Sequence, residues 1–265
     1  MREPSDPIRS SGYDAEGFAE VYDAYRPAPP AIVLDVLCRV AHAPRPRVVD
    51  LGAGTGLSTR AWAGRAEGVV GVEPQEPMLR RAEAATAATN VRYVLAYGDD
   101  TGLPDASADI VTCSQSFHWM EPGPTLAEAA RLLRPGGVFA AYDYDVPPVL
   151  FDLETERAFA ALVAVRRRRR AELGIPAGAH VNPKERHLDE IRSSARFRFA
   201  RELVLHHEGP TSADRVVGFA ESIGPAAARL GVTEDELGLT ALREAAAQAA
   251  PTRWLLGYRI RLGIV

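Results

Sequence analysis

The chain has 265 residues, 46% of them hydrophobic and 25% charged, with a net charge of −4. This is ordinary globular composition, enough for a sizeable core in one domain with an elaboration, and its acidic balance argues against nucleic acid as a partner. No apolar run nears the roughly 20 residues that cross a bilayer. Met1–Pro7 lacks the apolar segment of a signal peptide. Cys38 and Cys113 stand alone, with no disulfide framework or metal-binding spacing around them. The expectation is a cytoplasmic protein, monomer or homodimer, with no membrane, nucleic-acid or metal partner.

In chain order, residues 1–16 read as a flexible N-terminus. Gly17–Arg26 reads as a short helix with Phe18, Val21, Tyr22 and Tyr25 on one face, stopped by Pro27, Pro29 and Pro30. Ala31–Ala41 is an amphipathic helix and Arg47–Leu51 a buried strand. A helix over Leu57–Ala66 follows, then a strand at Val69–Val72, a helix at Gln75–Ala88 and a strand at Val91–Leu95. Gly98–Ser107 is an acidic loop, Ala108–Ser114 a strand and Pro124–Leu133 a helix. Arg134–Gly137 reads as a turn before a strand at Val138–Tyr144. This alternation fits right-handed parallel crossovers. The rhythm then changes to helices at Phe151–Leu173 and Lys184–Ser194, a strand at Phe197–His207, helices at Ser212–Ser222, Pro225–Leu230 and Glu234–Ala249, and a strand at Trp254–Val265. The expected fold is α/β, a doubly wound, mostly parallel seven-stranded sheet with an α-helical cap from insertions in the C-terminal half. Residues 17–145 form the nucleotide-binding core with its N-terminal helices. Residues 146–265 hold the cap and the last two strands.

The chemistry concentrates after the first strand, at Asp50-Leu51-Gly52-Ala53-Gly54-Thr55-Gly56. A strand, a glycine turn and a helix make a nucleotide site at the carboxyl edge of such a sheet. The dinucleotide pattern G-x-G-x-x-G is absent because Leu57 follows Gly56. An acid directly before the loop also disfavours a pyrophosphate. S-adenosyl-L-methionine carries an ammonium, a carboxylate and a sulfonium but no phosphate, so it suits the loop better. Asp50 is placed to act on its cationic end through water or backbone. Glu73, at the end of the second strand with Pro74 after it, can accept both ribose hydroxyls.

VVDLGAGTG, GVEP, YGDDTGLPDASADIVTCSQSFHWM and LLRPGG together resemble the class I S-adenosylmethionine-dependent methyltransferases, in particular the small-molecule group that includes trans-aconitate and ubiquinone/menaquinone-type enzymes. The resemblance covers residues 15–145. It implies that Gly98 and Asp99, with Asp100 as the alternative by one position, frame the adenine. It implies that Ser114 and Gln115 face the methionine part, and that His118 and Trp119 line the gap between cofactor and acceptor. Tyr22, Tyr25 and Arg26 resemble the Y-x-x-Y-R-P entry segment, in which Arg pairs with the cofactor carboxylate, a group that Thr55 also reaches.

The reaction so implied is in-line methyl transfer to a small-molecule acceptor, at O, N or C, leaving S-adenosyl-L-homocysteine. His118 is the candidate base if the acceptor needs one. Tyr144, at the end of the fifth strand, is a second, and Asp143 points the other way in a regular strand. The competing readings are a non-catalytic regulator or assembly protein that binds the same cofactor, and a nicotinamide-dependent oxidoreductase. Arg166–Arg170 points in all directions around a helix and reads as a solvated segment.

Overall fold

The computed structural model describes residues 17–174, 182–224 and 226–265; the expected flexible N-terminus, 1–16, lies outside them. The elements in order are α1 (Phe18–Tyr25), α2 (Ala31–Val40), β1 (Arg47–Leu51), α3 (Leu57–Ala61), β2 (Gly68–Glu73), α4 (Glu76–Ala84), β3 (Val91–Leu95), β4 (Ala108–Ser114), α5 (Pro122–Leu132), β5 (Leu133–Tyr144), α6 (Leu153–Glu172), α7 (His187–Ser193), β6 (Phe199–Pro210), α8 (Ala213–Ser222), α9 (Glu234–Leu237), α10 (Leu239–Ala249) and β7 (Arg253–Ile264). Short 3-10 turns lie at Phe117–Trp119, Lys184–Arg186 and Ala228–Leu230.

Several elements differ from the sequence expectation: the helix expected at 75–88 ends at Ala84, that expected at 225–230 is a 3-10 turn at Ala228–Leu230, and three more differ where a glycine stands. The helix after the first strand stops at Ala61 and continues as turns, where Gly64 weakens it and Trp62 is fully buried. Arg134–Gly137 is a bulge inside β5: Ala108 pairs with Leu133 and Ile110 with Val138, and Gly136 takes φ 81° to absorb the extra residues. The helix expected over 234–249 is two helices, because Gly238 at φ 89° ends α9 and starts α10.

The seven strands lie in the order β3-β2-β1-β4-β5-β7-β6. Pairs β1–β2, β2–β3, β1–β4 and β4–β5 are parallel, and β5–β7 is antiparallel. The expected doubly wound, mostly parallel sheet is therefore present. The strand order reverses between β1 and β4, and the carboxyl ends of those strands open the crevice where such sheets bind ligands.

Contacts divide the chain into two units. The sheet unit holds the described residues of 27–144, 180–205 and 258–265. The helical unit holds those of 1–26, 145–179 and 206–257. In the sheet unit, α5 and the segment from Ile191 to Phe197 cover one face, with Val49, Val111, Leu126, Phe117 and Phe139 at the centre of the core. Phe117 meets Phe139 edge-on at 5.5 Å.

In the helical unit α1 packs on α8, and α10 on α6 and α8. Gly218 lets the Tyr25 ring lie directly on α8. The carboxyl end of α8 is held by two arginines: Arg26 Nη2 donates to the Ser222 carbonyl at 2.9 Å and Arg166 Nη1 to the Ala220 carbonyl at 2.8 Å. Cations suit a helix carboxyl end. Arg166 is thus buried, not solvated as its place in the arginine run suggested, and burial with the neighbouring Arg170 pushes its guanidinium down to about 10.

Truncating the central ring tests this core. Phe139→Ala is expected to cost about 3–5 kcal/mol, read as a lowered urea midpoint with an unchanged slope.

Candidate functional site

The site is built around a buried acid. Asp50 ends β1 with no exposed surface. Thr112 Oγ1 on β4 donates to its Oδ1 at 2.6 Å, and Thr59 Oγ1 on α3 donates to its Oδ2 at 2.8 Å. Burial outweighs these bonds and pushes its carboxyl up to about 6. Asp50 therefore fastens β1, β4 and α3 together under the glycine loop.

The loop glycines divide into two kinds. At Gly52 (φ 71°) an added Cβ would lie 2.6 Å from Ser116 Cβ and 2.9 Å from Met120 Cε, and at Gly56 (φ 83°) it would collide with the Tyr93 hydroxyl. These positions are closed by the protein itself. Gly54, at φ 58°, faces space that no described residue occupies within 4 Å of an added Cβ. The loop is tied down by Gly52 N–H and Ala53 N–H, both donating to the Val72 carbonyl, and by Ser116 Oγ donating to the Leu51 carbonyl at 2.6 Å. Thr55 is fully buried, and its carbonyl accepts from Arg60 Nη1.

Glu73 stands beside this opening. Its Oε2 accepts the Gly54 N–H at 2.8 Å and its Oε1 the Gln75 N–H at 3.0 Å. A carboxylate has about four acceptor sites, so both oxygens keep capacity for hydroxyl donors. Burial pushes the group up to about 7. Pro74 follows, half-buried. Beyond β3, Gly98 is buried against Met120, Asp99 is half-buried and Asp100 exposed.

A second set of residues gathers where β4 and β5 end. Ser114 is half-buried, and Gln115 turns at φ 53°. Gln115 Oε1 accepts from Lys184 Nζ at 2.7 Å, and its Nε2 donates to the Tyr144 carbonyl at 3.4 Å. His118 is 5% exposed, with its ring 5.2 Å from that of Trp119. Tyr144 is buried, its ring edge-on to Tyr258. Asp143 does point away from the Tyr144 side, as strand alternation requires, but into a cluster of its own. Its Oδ1 lies 2.9 Å from Lys184 Nζ and 3.7 Å from His118 Nδ1. Its Oδ2 lies 2.9 Å from Arg261 Nη1 and 3.7 Å from His187 Nδ1.

The sheet unit thus brings together Asp50, the glycine loop, Glu73, Pro74, Gly98, Asp99, Asp100, Ser114, Gln115, His118, Trp119 and Tyr144. Tyr22, Tyr25 and Arg26 belong to the helical unit, where the Arg26 guanidinium stacks 4.7 Å from the Tyr22 ring centre. Sequence reasoning did not single out Lys184, His187 or Arg261. One signal was available: Lys184 is the chain's single lysine among 31 basic residues.

Residues 49–141 match the family described as a methyltransferase domain. The chain is 39% identical over 116 residues to an uncharacterized methyltransferase of Mycobacterium tuberculosis, a stretch that is 44% of this chain and 46% of that protein. It is 37% identical over 106 residues to a demethylmenaquinone methyltransferase of Clavibacter sepedonicus, 39% of this chain and 43% of that one. These matches span about half the length of the curated relatives. A solved structure of a type II methyltransferase candidate from Anaeromyxobacter dehalogenans is 28% identical, with 91% of this chain and 98% of that one covered at a TM-score of 0.65.

The two kinds of glycine predict two outcomes. Gly52→Ala is expected to destabilise the fold by more than the ~1–2 kcal/mol that a left-handed alanine costs, because backbone strain and steric overlap add. Gly54→Ala should cost only the former, and thermal unfolding of both separates them. Glu73 predicts a pH dependence. Its raised pKa means that the folded state keeps a proton that the unfolded chain releases above about 4.5. Its contribution to stability therefore falls as pH rises toward about 7. Glu73→Gln should gain stability relative to the parent between pH 5 and pH 8 in denaturant titrations.

Proposed function

We propose that this chain, whose residues 49–141 are a methyltransferase domain on a Rossmann-like methyltransferase sheet, transfers a methyl group from S-adenosylmethionine to a small-molecule acceptor. The observation that carries the reading is the open space over Gly54, next to a buried Glu73 that can still accept hydroxyls. The polar groups beside it are acids, which suit a ribose and an ammonium and repel a pyrophosphate. The residues present therefore fit this cofactor. The demethylmenaquinone methyltransferase among the relatives supports a small-molecule acceptor.

When bound, the cofactor supplies a methyl group on a sulfonium, already activated toward a nucleophile. The backbone of Gly52–Gly56 would hold its amino-acid part, Glu73 its ribose hydroxyls, and Gly98 with Asp99 or Asp100 its adenine. Ser114 and Gln115 would hold the methionine chain. Asp50, sealed beneath, would act through the loop it fixes. His118 and Trp119 would orient the acceptor, and Tyr144 would border it. The protein's task is positioning: a near-attack pose is worth up to roughly 7–11 kcal/mol. Among the described residues no helix is long and apolar enough to cross a membrane, and a cytoplasmic location belongs to the same proposal.

Calorimetry with S-adenosylhomocysteine and a labelled-methyl assay over a metabolite panel test this. The parent should bind, and Gly54→Leu should lose at least 100-fold in affinity while retaining its circular dichroism. Affinity should also rise from pH 6 to pH 8 as Glu73 ionises, since hydroxyls donate better to a carboxylate. Binding of NAD in place of S-adenosylhomocysteine, or normal binding by Gly54→Leu, would refute the assignment.

A further inference from the structure

Asp143 sits among four potential cations, and they are not equivalent. Lys184 and Arg261 reach it at hydrogen-bonding distance, whereas His118 and His187 stand at 3.7 Å, an ion-pair separation longer than a hydrogen bond. Arg261 also donates through Nε to Glu202 Oε2 at 2.8 Å. Arg259 Nη1 also stands 3.7 Å from Glu202 Oε1, so among the described residues Asp143 and Glu202 face three permanent cations, of which Lys184 and Arg261 reach Asp143.

The two histidines differ in what they can give. His187 has no exposed surface, and burial pushes it down to about 4, so it stays neutral. Its Nε2 lies 3.2 Å from the Asn182 carbonyl. A carbonyl only accepts, so the single ring proton of neutral His187 is on Nε2, and its Nδ1 offers Asp143 no donor. His118 is the imidazole whose Nδ1 is left to face Asp143, 3.7 Å from Oδ1 and within ion-pair reach. Its ring lies parallel to that of His187, 6.4 Å away and 13° from coplanar orientation.

We propose that Asp143 is the positioning residue for His118: it keeps a proton on Nδ1 and so leaves Nε2 as the basic nitrogen, while Lys184 and Arg261 hold the Asp143 carboxylate in place. The inference rests on the methyl-transfer reading above and deepens it. The proton leaves the acceptor for Nε2, its electron pair stays on the acceptor atom, and His118 becomes an imidazolium beside Asp143. The acceptor class follows from the same chemistry. A base has work to do only for a group still protonated at neutral pH, such as a phenol, an enol or an amine.

Lys184 competes with His118 for one carboxylate oxygen, Oδ1, and bridges it to Gln115. Among the groups that face Asp143 it is the most exposed, with 29% of its side chain accessible against 0–7% for His118, His187 and Arg261. An ammonium makes this bridge as a compact point charge, which a guanidinium fork does not. It sets how much of the Asp143 charge His118 feels.

The test needs no knowledge of the acceptor. In the full chain labelled with 15N-histidine, and with His118 assigned by comparison with His118→Gln, neutral His118 should show the Nδ1–H tautomer. Asp143→Asn should abolish that preference. Lys184→Met, at the exposed member, should move the His118 titration midpoint about one pH unit upward, and it keeps the test decisive if Asp143→Asn does not fold. An Nε2–H tautomer in the parent, or a His118 signal indifferent to both substitutions, overturns the proposal. S-adenosylhomocysteine calorimetry on the same samples tests the methyl-transfer reading separately, since that reading requires binding whatever the His118 tautomer. With phenol and carboxylate panels in the labelled-methyl assay, Asp143→Asn should lower kcat on a phenol at least 100-fold and leave the KM for S-adenosylmethionine within about threefold. Equal loss in kcat and that KM, or turnover of carboxylates alone, also overturns it.

Discussion

The arrangement depends on a carboxylate with no contact with water. Asp50 joins β1 to β4 through Thr112 and to α3 through Thr59. Burying an acid is expensive, and the upward pressure on its pKa records that cost. What the burial yields is registration. The two strands that part company at the switch point are cross-linked one residue before the loop begins. The glycine turn, the Ser116 bond to Leu51 and the β4 terminus then have no independent freedom. A hydrophobic residue at position 50 would pack, but it could not fasten two different elements in fixed directions.

On that platform the chain separates two uses of glycine that look alike in sequence. Gly52 and Gly56 are small because protein crowds them; Gly54 is small where no described residue stands within 4 Å of an added Cβ. The first kind makes the turn possible and the second makes it useful. Glu73 links the two, since its carboxylate takes the Gly54 N–H and so sets the floor of the opening that it borders.

Much of the sheet was legible in the sequence because its signals are local. β1, β3 and β4 fall on their expected residues, as apolar runs bounded by turn residues must. The glycine loop and Glu73 were legible because their spacing along the chain is itself the chemistry. The Arg134–Gly137 bulge was not, since it depends on a partner strand that local pattern does not reveal. Arg166 escaped for a similar reason. A run of five arginines reads as solvated until α8 presents its carbonyl end to one of them. The Asp143 cluster was the least visible, for its members come from β5, the Lys184 turn, α7 and β7, and only the fold brings them together.

That dispersal has a consequence for how the protein is made. Asp143 and its partner Arg261 are 118 residues apart. Strand β5 can pair with β4 early, but its Asp143 has only Lys184 as a close permanent cation until β7 has been synthesised and has inserted beside it. A nascent chain therefore carries this acid without its Arg261 partner for seconds at ordinary elongation rates of about 5–20 residues per second. This long-range closure is an entropically costly step, and it makes the cluster a checkpoint. The sheet is complete on both sides of β5 only when the groups around His118 are complete as well.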